Sequence, residues 1–405
     1  MFFLQDARVY RLLTGLFFEG VSTGLFMMAL PWLMLKQGDN ATLVALIALV
    51  CTLASFLLTP IFSTAIDRFS RKYVLVCVQL AQALTALLLM LASLDGEVST
   101  LMMASAQLIY WVTVDLAWNC TGAFIQENFV EEEYPRISSY QEVLMQGVML
   151  LSGALGVFLL ELWPIHYFAL FACLAASMGA ISYALMPYRR KLRHYHQRRF
   201  IKQLTESKTL FLRQPKLMLF LAMSCLSYPV LMYLVKLVPI FLADKGFSGE
   251  WFALWKSSYG FGAMMCGLAV VMLMTRFSHE KLMLSAIFTI AFVLSIMTLA
   301  PLPWVLVVMT LLIGFFNALN RIARINKMNL VIDTNERGRI DGGLKMFSTL
   351  SQSLGYVVIA FLAHWQITEW GFAVIAIVMF CAGISMQRYI TASDIAVQEP
   401  LRCND

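Results

Sequence analysis

Charge is what this chain has least of. Only 13% of its 405 residues are Asp, Glu, Lys or Arg, while 60% are hydrophobic, and the mean hydropathy is +0.74. Soluble globular chains carry about 25% charged and about 45–50% apolar residues. The composition therefore argues against a soluble enzyme and excludes disordered or collagen-like chains. Metal and disulfide chemistry are equally ill served. No Cys-x-x-Cys pair occurs and the five histidines are scattered. Seven of the eight cysteines (Cys51, Cys77, Cys120, Cys173, Cys225, Cys266 and Cys381) fall inside apolar runs, with Cys403 in the tail. They read as small apolar side chains, and no metal site, cofactor or disulfide framework is expected. No Gly-x-x-x-x-Gly-Lys-Ser/Thr loop is present, so ATP hydrolysis within the chain is not expected. Nor is there a signal-peptide pattern: the first apolar run follows Arg8 and Arg11 and continues to Leu35. That is too long for a cleavable segment and reads as a permanent span.

What the chain has instead is long apolar runs. A membrane helix needs ~20 such residues, and twelve runs qualify, at 9–35, 41–66, 74–94, 100–126, 141–163, 165–187, 217–243, 251–275, 282–300, 304–330, 344–363 and 369–391. They are continuously apolar, whereas barrel strands would alternate. The expected class is an all-α integral membrane bundle. Its division is a six-helix half at 1–187, a basic linker at 188–216, a second half at 217–391 and a tail at 392–405.

Charge sorts the connections. Those at 36–40, 95–99, near 164, 244–250, 301–303 and 364–368 hold only Lys36 and Lys245 as basic residues, while the opposite set holds Arg68, Arg71, Lys72, Arg136, Arg276, Arg337 and others. Tyr188–Lys216 alone carries ten Lys/Arg against Glu206. The bias places both termini in the cytoplasm. The linker reads as a topology determinant lying along anionic headgroups, not as a nucleic-acid site, since no domain surrounds it. The chain is also internally repeated. LPWLML at 30–35 returns as VPIFLA at 238–243, DRFSRK at 67–72 as TRFSHE at 275–280, and EYPRI at 133–137 as ERGRI at 336–340. Two parallel six-helix repeats are a transporter architecture.

Asp67-Arg68-Phe69-Ser70-Arg71-Lys72 resembles the Gly-x-x-x-Asp-Arg-x-Gly-Arg-Lys loop of the major facilitator superfamily, with Ser63 and Ser70 at the two glycine positions. YRLL…LPWLML…DRFSRK and NERGRIDGG at 335–343 are similar to the efflux branch that includes the enterobactin exporter. The resemblance implies the major facilitator fold of twelve transmembrane helices in two pseudo-symmetric halves. It also implies that helices 1, 4, 7 and 10 line a central cavity. Two departures stand out. The stretch Ser152–Val157 lacks the proline of the family's antiporter motif, and Asp115 stands nearest the helix 4 position where many drug antiporters carry arginine.

Ionisable groups inside a bilayer cost about 2.5–3.5 kcal/mol each on insertion scales. Four stand out: Glu19, Asp115, Lys236 and Lys256. Glu19 and Asp115 are the proton-coupling candidates, since burial favours a protonated carboxyl; a paired or solvated acid is the alternative. Lys236 is an anion-site candidate, or a lysine snorkelling to the headgroups, and snorkelling is favoured for Lys256. Asn317, Asn320, Trp111, Trp118 and Tyr228 are further cavity candidates, with plain packing as the alternative. Other aromatics, Phe17, Phe18, Tyr110 and Tyr233, read mainly as packing. Asp67, Arg68, Arg71 and Lys72, with Glu127 or Glu131 as partners, form a candidate cytoplasmic gate. In it Asp67 accepts from a helix N-terminus, that of helix 11. Glu131–Glu133 reads as a solvated face, and Arg321, Arg324 and Lys327 as a helix end at the membrane surface.

These readings predict a monomeric, proton-coupled secondary transporter of the cytoplasmic (inner) membrane, exporting a small amphipathic or anionic metabolite. A siderophore is the first choice of cargo and a drug-like compound the second. The alternative is uptake of an anionic nutrient or ferric siderophore. A membrane enzyme or sensor would need a catalytic cluster or an output domain, and neither is visible.

Overall fold

In the computed structural model the described residues are 6–36, 41–94, 98–188, 209–247 and 249–398. Most of the basic linker and the last residues of the tail lie outside them. The long helices are α1 (Ala7–Lys36), α2 (Ala41–Arg68), α3 (Arg71–Ser93), α4 (Thr100–Asn128), α5 (Tyr134–Leu162) and α6 (Ile165–Ala184) in the first half. The second half holds α7 (Pro215–Cys225), α8 (Ser227–Asp244), α9 (Gly249–Arg276), α10 (His279–Leu299), α11 (Pro303–Val331), α12 (Arg337–His364) and α13 (Trp370–Gln398). No strand occurs among the described residues. The seventh predicted span is therefore two helices, α7 and α8, broken at Leu226.

Among the described residues ten spans are long and apolar enough to cross a membrane, with α7 and α8 counted as one. Helix α12 is equally long but more polar. Exposure confirms a lipid-facing surface. On α2, Leu46, Leu49, Leu53, Leu57 and Ile61 follow helical spacing and are all exposed, Leu49 and Leu57 at 62%. Such a stripe would be prohibitive in water but is at home among lipid tails. Pro60 interrupts the backbone pairing of the same helix, and the hydroxyls of Ser63 and Thr64 donate to its carbonyl at 2.9 Å.

Two compact units divide the chain. The first is Met1–Thr205 with Ile332–Gly342, and the second is Glu206–Val331 with Gly343–Asp405. The boundary falls inside α12, so the first turns of that helix pack in the first unit. One cluster of the first unit's core joins Val9, Leu12, Leu16, Leu75, Phe124, Ile137 and Tyr183. Another joins Phe26, Leu30, Leu89, Tyr110 and Ala172. The repeat seen in the sequence has a packing counterpart. Where the third and sixth helices of each half cross, a glycine makes room for a side chain. Gly179 on α6 faces the buried amide of Gln79, and Gly383 on α13 faces the ring of Phe288.

Candidate functional site

The ionisable residues of the first unit fall into two groups. Glu19, on α1, accepts a hydrogen bond from the Tyr183 hydroxyl of α6 at 2.8 Å. The Tyr183 ring lies directly over Gly15, one turn earlier on α1, where a Cβ would come within 2.7 Å of it. Tyr183 is fully buried and Glu19 half-buried. The carboxylate's partner is thus a neutral hydroxyl. One turn further on, Ser22 touches the Tyr110 hydroxyl at 3.2 Å, and Tyr110 donates to the Gln82 carbonyl at 3.1 Å. Asp115 is half-buried on α4, and Glu19 does not bond to it. Trp111 is half-buried and Trp118 is 41% exposed. Tyr110 and Tyr233 are core residues.

One buried acid escaped the sequence reading. Glu142 on α5 is 4% exposed and accepts from Gln146 at 2.9 Å. Its signal is Ser138, Ser139, Glu142 and Gln146, a polar stripe at helical spacing that runs into the span predicted from 141.

The second group surrounds the α2–α3 loop. Asp67 accepts the backbone N–H groups of Gly338 at 2.6 Å and Arg339 at 3.0 Å, and the Arg339 side chain at 3.1 Å. These N–H groups belong to the first turn of α12, where a helix leaves its donors unused and its dipole favours an anion. Gly338 is what permits the approach, because a Cβ there would lie 2.5 Å from the Ser63 carbonyl. Arg71 is fully buried. Its guanidinium donates to the carbonyls of Ala123 and Thr334 and lies 3.8 Å from Glu127 and 3.9 Å from Asp67. Lys72 caps the end of α6 through the Met186 carbonyl at 2.9 Å. Arg68 is half-buried and makes no ion pair among the described residues. Glu133 does not lie on a freely solvated face. It pairs with Arg8 at 3.0 Å, and Arg8 also donates to the Asn128 carbonyl. The Arg8 guanidinium, bonded to Asp6 at 2.6 Å, holds that carboxyl below the usual carboxylate range.

In the second unit the break at Leu226 is the centre of the polar structure. Asn320 of α11 is fully buried, so it is not a wall residue. Its amide donates to the Ser224 carbonyl and the Ser227 hydroxyl, each at 2.8 Å, and accepts from the Ser224 hydroxyl at 2.7 Å. Arg324, one turn along, donates to the same carbonyl at 3.0 Å. Asn317 donates to the Tyr259 hydroxyl at 3.0 Å. Tyr228 is 39% exposed, with the Lys345 ammonium 5.3 Å from its ring centre. Lys236 is exposed on α8. Among the described residues no cluster of His, Cys, Asp and Glu could hold a metal.

A family model described as Major Facilitator Superfamily matches residues 12–271 and 252–400. No curated protein matches the sequence. Among solved structures, the chain resembles a bacterial homologue of the iron transporter ferroportin in its outward-facing state. The TM-score is 0.75 at 15% identity, covering 95% of this chain and 99% of that one. It also resembles FucP, a transporter of the same superfamily, in the outward conformation, with TM-score 0.72, 13% identity, and 93% and 97% coverage. A third likeness is to the human organic anion transporter MFSD10 (TETRAN), with TM-score 0.68, 13% identity, and 94% and 99% coverage. At such identities the likeness is one of fold.

Proposed function

The chain belongs to the major facilitator superfamily, and on that premise we propose that it exports a small amphipathic or anionic metabolite in exchange for protons. It is a multi-pass membrane transporter and not an enzyme. The membrane is the cytoplasmic (inner) one, with both termini inside, because the basic loops fall on the side that holds them. A siderophore is the first choice of cargo and a drug-like compound the second, and the working unit is the monomer.

One observation carries proton coupling. Glu19 sits in an apolar span with a hydroxyl, not a cation, as its partner. A carboxylate so placed takes up a proton without breaking an ion pair, and its charge at that depth is costly enough to couple protonation to conformation. Asp115 is the second candidate carrier. The Asp67–Arg71–Glu127 cluster with Lys72 serves as the cytoplasmic gate, since its bonds to the start of α12 can be made and broken as units. Lys236, Trp111, Trp118 and Tyr228 are the accessible or half-buried cavity candidates, with the buried Asn317 behind them.

Metabolite profiling of a deletion strain in iron-poor medium, with pellet and supernatant separated, identifies the cargo. The purified chain in proteoliposomes then tests coupling. Glu19→Gln is expected to abolish accumulation driven by a pH gradient and to keep exchange of labelled for unlabelled cargo. Gradient-driven accumulation at the wild-type rate in both Glu19→Gln and Asp115→Asn would overturn the coupling assignment.

A further inference from the structure

Four helical stretches of the second unit are almost without acids. The helices of the first unit carry both signs, Glu19, Asp115, Glu127 and Glu142 with the fully buried Arg71. In the second unit, α7, α11 and residues 343–364 of α12 contain no Asp or Glu, and α8 has only Asp244 at its end. The same four elements carry Lys236, Arg321, Arg324, Lys327 and Lys345. Lys327 is neutralised by Glu280 of α10.

Arg324 differs from Lys327. Its acceptors are neutral, the Ser224 carbonyl and hydroxyl, both contacted through Nη1. Its Nε and Nη2 donors have no protein acceptor among the described residues. The contact lies deep. Ser224 is about nine residues along α7, or roughly 14 Å at ~1.5 Å per residue, in a hydrocarbon core of about 30 Å. Capping the helix break does not explain a cation there. Asn320 already donates to the same carbonyl at 2.8 Å, and a neutral amide would serve the remaining lone pair without the cost of a charge.

The surroundings show how such a charge meets its partner. Helix α12 is two-faced. Leu350, Leu354, Val357 and Phe361 form an exposed apolar stripe, from 55% to 69%, which faces lipid. Lys345, Thr349, Gln352 and Tyr356 form the opposite stripe and are half-buried. A polar stripe on a spanning helix belongs beside water-filled space. Its Lys345 reaches the exposed ring of Tyr228, which stands one turn beyond Ser224. The break, Arg324, Tyr228 and Lys345 thus share one wall of the second unit.

We propose that this wall is an anion-recognition site in which the free edge of the Arg324 guanidinium binds the carboxylate or phosphate of an amphipathic aromatic cargo, with Tyr228 against its ring and Lys345 adding charge. The guanidinium offers two parallel donors to such an oxyanion. The site deepens the transporter reading and rests on it: acids of the first unit carry the proton and this wall of the second carries the cargo.

Thermal unfolding of the purified full-length chain tests it, with salicylate, benzoate and phenyl phosphate as anions and salicylamide as the uncharged analogue. The wild type is expected to gain a saturable rise in Tm with at least one anion and none with salicylamide. Arg324→Gln should abolish that rise. Arg324→Lys, which keeps the charge and the reach to Ser224, should keep the unliganded Tm near wild type and weaken binding about tenfold. An equal response to salicylamide, no response to any of the three anions, or wild-type anion affinity in Arg324→Gln would overturn the proposal. Metabolite profiling reads transport separately. A deletion strain that retains a metabolite, together with a protein blind to anions, removes this site and leaves the transporter reading standing.

Discussion

The carboxylate of Asp67 closes the N-terminus of α12, with one oxygen on the Gly338 N–H at 2.6 Å and the other on the Arg339 N–H at 3.0 Å. The bond is charge-assisted and nearly buried, and it joins residues far apart in the chain. Asp67→Asn keeps one acceptor but turns an NH2 group towards a helix donor. The expected cost is about 1–3 kcal/mol, with most of it lost also in Asp67→Ala. Thermal unfolding of the two purified variants checks this. A Tm unchanged from wild type in both would mean that the bond contributes nothing to the folded state.

Asn320 holds the break in the seventh span. It makes three hydrogen bonds to Ser224 and Ser227 from a fully buried position. Asn320→Ala leaves a carbonyl with one donor fewer and two hydroxyls without their partner, in a place water does not reach. The expected destabilisation is about 2–4 kcal/mol. Asn320→Asp should cost less, because the new carboxylate lies one turn from Arg324. If Asp were the more damaging change, the electropositive character assigned to that wall would be mistaken.

The helices were legible because hydropathy over twenty residues leaves little choice in lipid, and the repeat was legible because DRFSRK and TRFSHE kept their order. The break at Leu226 has one local mark, Pro229, which offers no N–H to the Cys225 carbonyl four residues back and crowds it with its ring, but the apolar run continues straight through it. Asn320, about a hundred residues later, bonds the Ser224 carbonyl and the Ser227 hydroxyl on either side of it. Glu142 was hidden for a related reason. Its helix is polar along one stripe, so a one-dimensional average placed the acid at the edge of the span. Asp67 was readable in kind, because an acid in a tight basic loop suits a helix N-terminus. Arg324 was read as a surface residue from its spacing with Arg321 and Lys327, whereas its side chain turns inward to Ser224.

Gln366 is the one residue other than glycine with positive φ among those described, at 55°. It ends α12, and the following N–H, of Ile367, donates back to the Leu362 carbonyl at 3.0 Å. A side chain in the left-handed region costs about 1–2 kcal/mol, which glycine avoids, while glycine gives up about 0.5–1 kcal/mol to the unfolded chain. Gln366→Gly should therefore be neutral to stabilising by about 1 kcal/mol. Gln366→Val should destabilise clearly, because branching at Cβ makes that backbone region worse. Unfolding temperatures in the reverse order would show that the turn relaxes to another conformation.

The tightest helix crossing in the second unit is between α9 and α11. A Cβ on Gly262 would strike the Leu311 carbonyl oxygen, and one on Gly314 would strike the Tyr259 carbonyl oxygen. Both obstacles are backbone, so no rotamer change relieves them. The helices must move apart, and the contacts between their faces, including the Asn317–Tyr259 bond at 3.0 Å, must lengthen with them. Gly262→Ala and Gly314→Ala are each expected to cost about 2–3 kcal/mol. The double variant should cost less than the sum, since one separation accommodates both methyl groups. Gly147 on α5 provides the control. Nothing lies within 4 Å of its Cβ position, so Gly147→Ala should stabilise by up to about 1 kcal/mol through helix propensity alone. Additive losses at Gly262 and Gly314 would mean that the two methyl groups are absorbed by separate local distortions and that the crossing does not move as a unit.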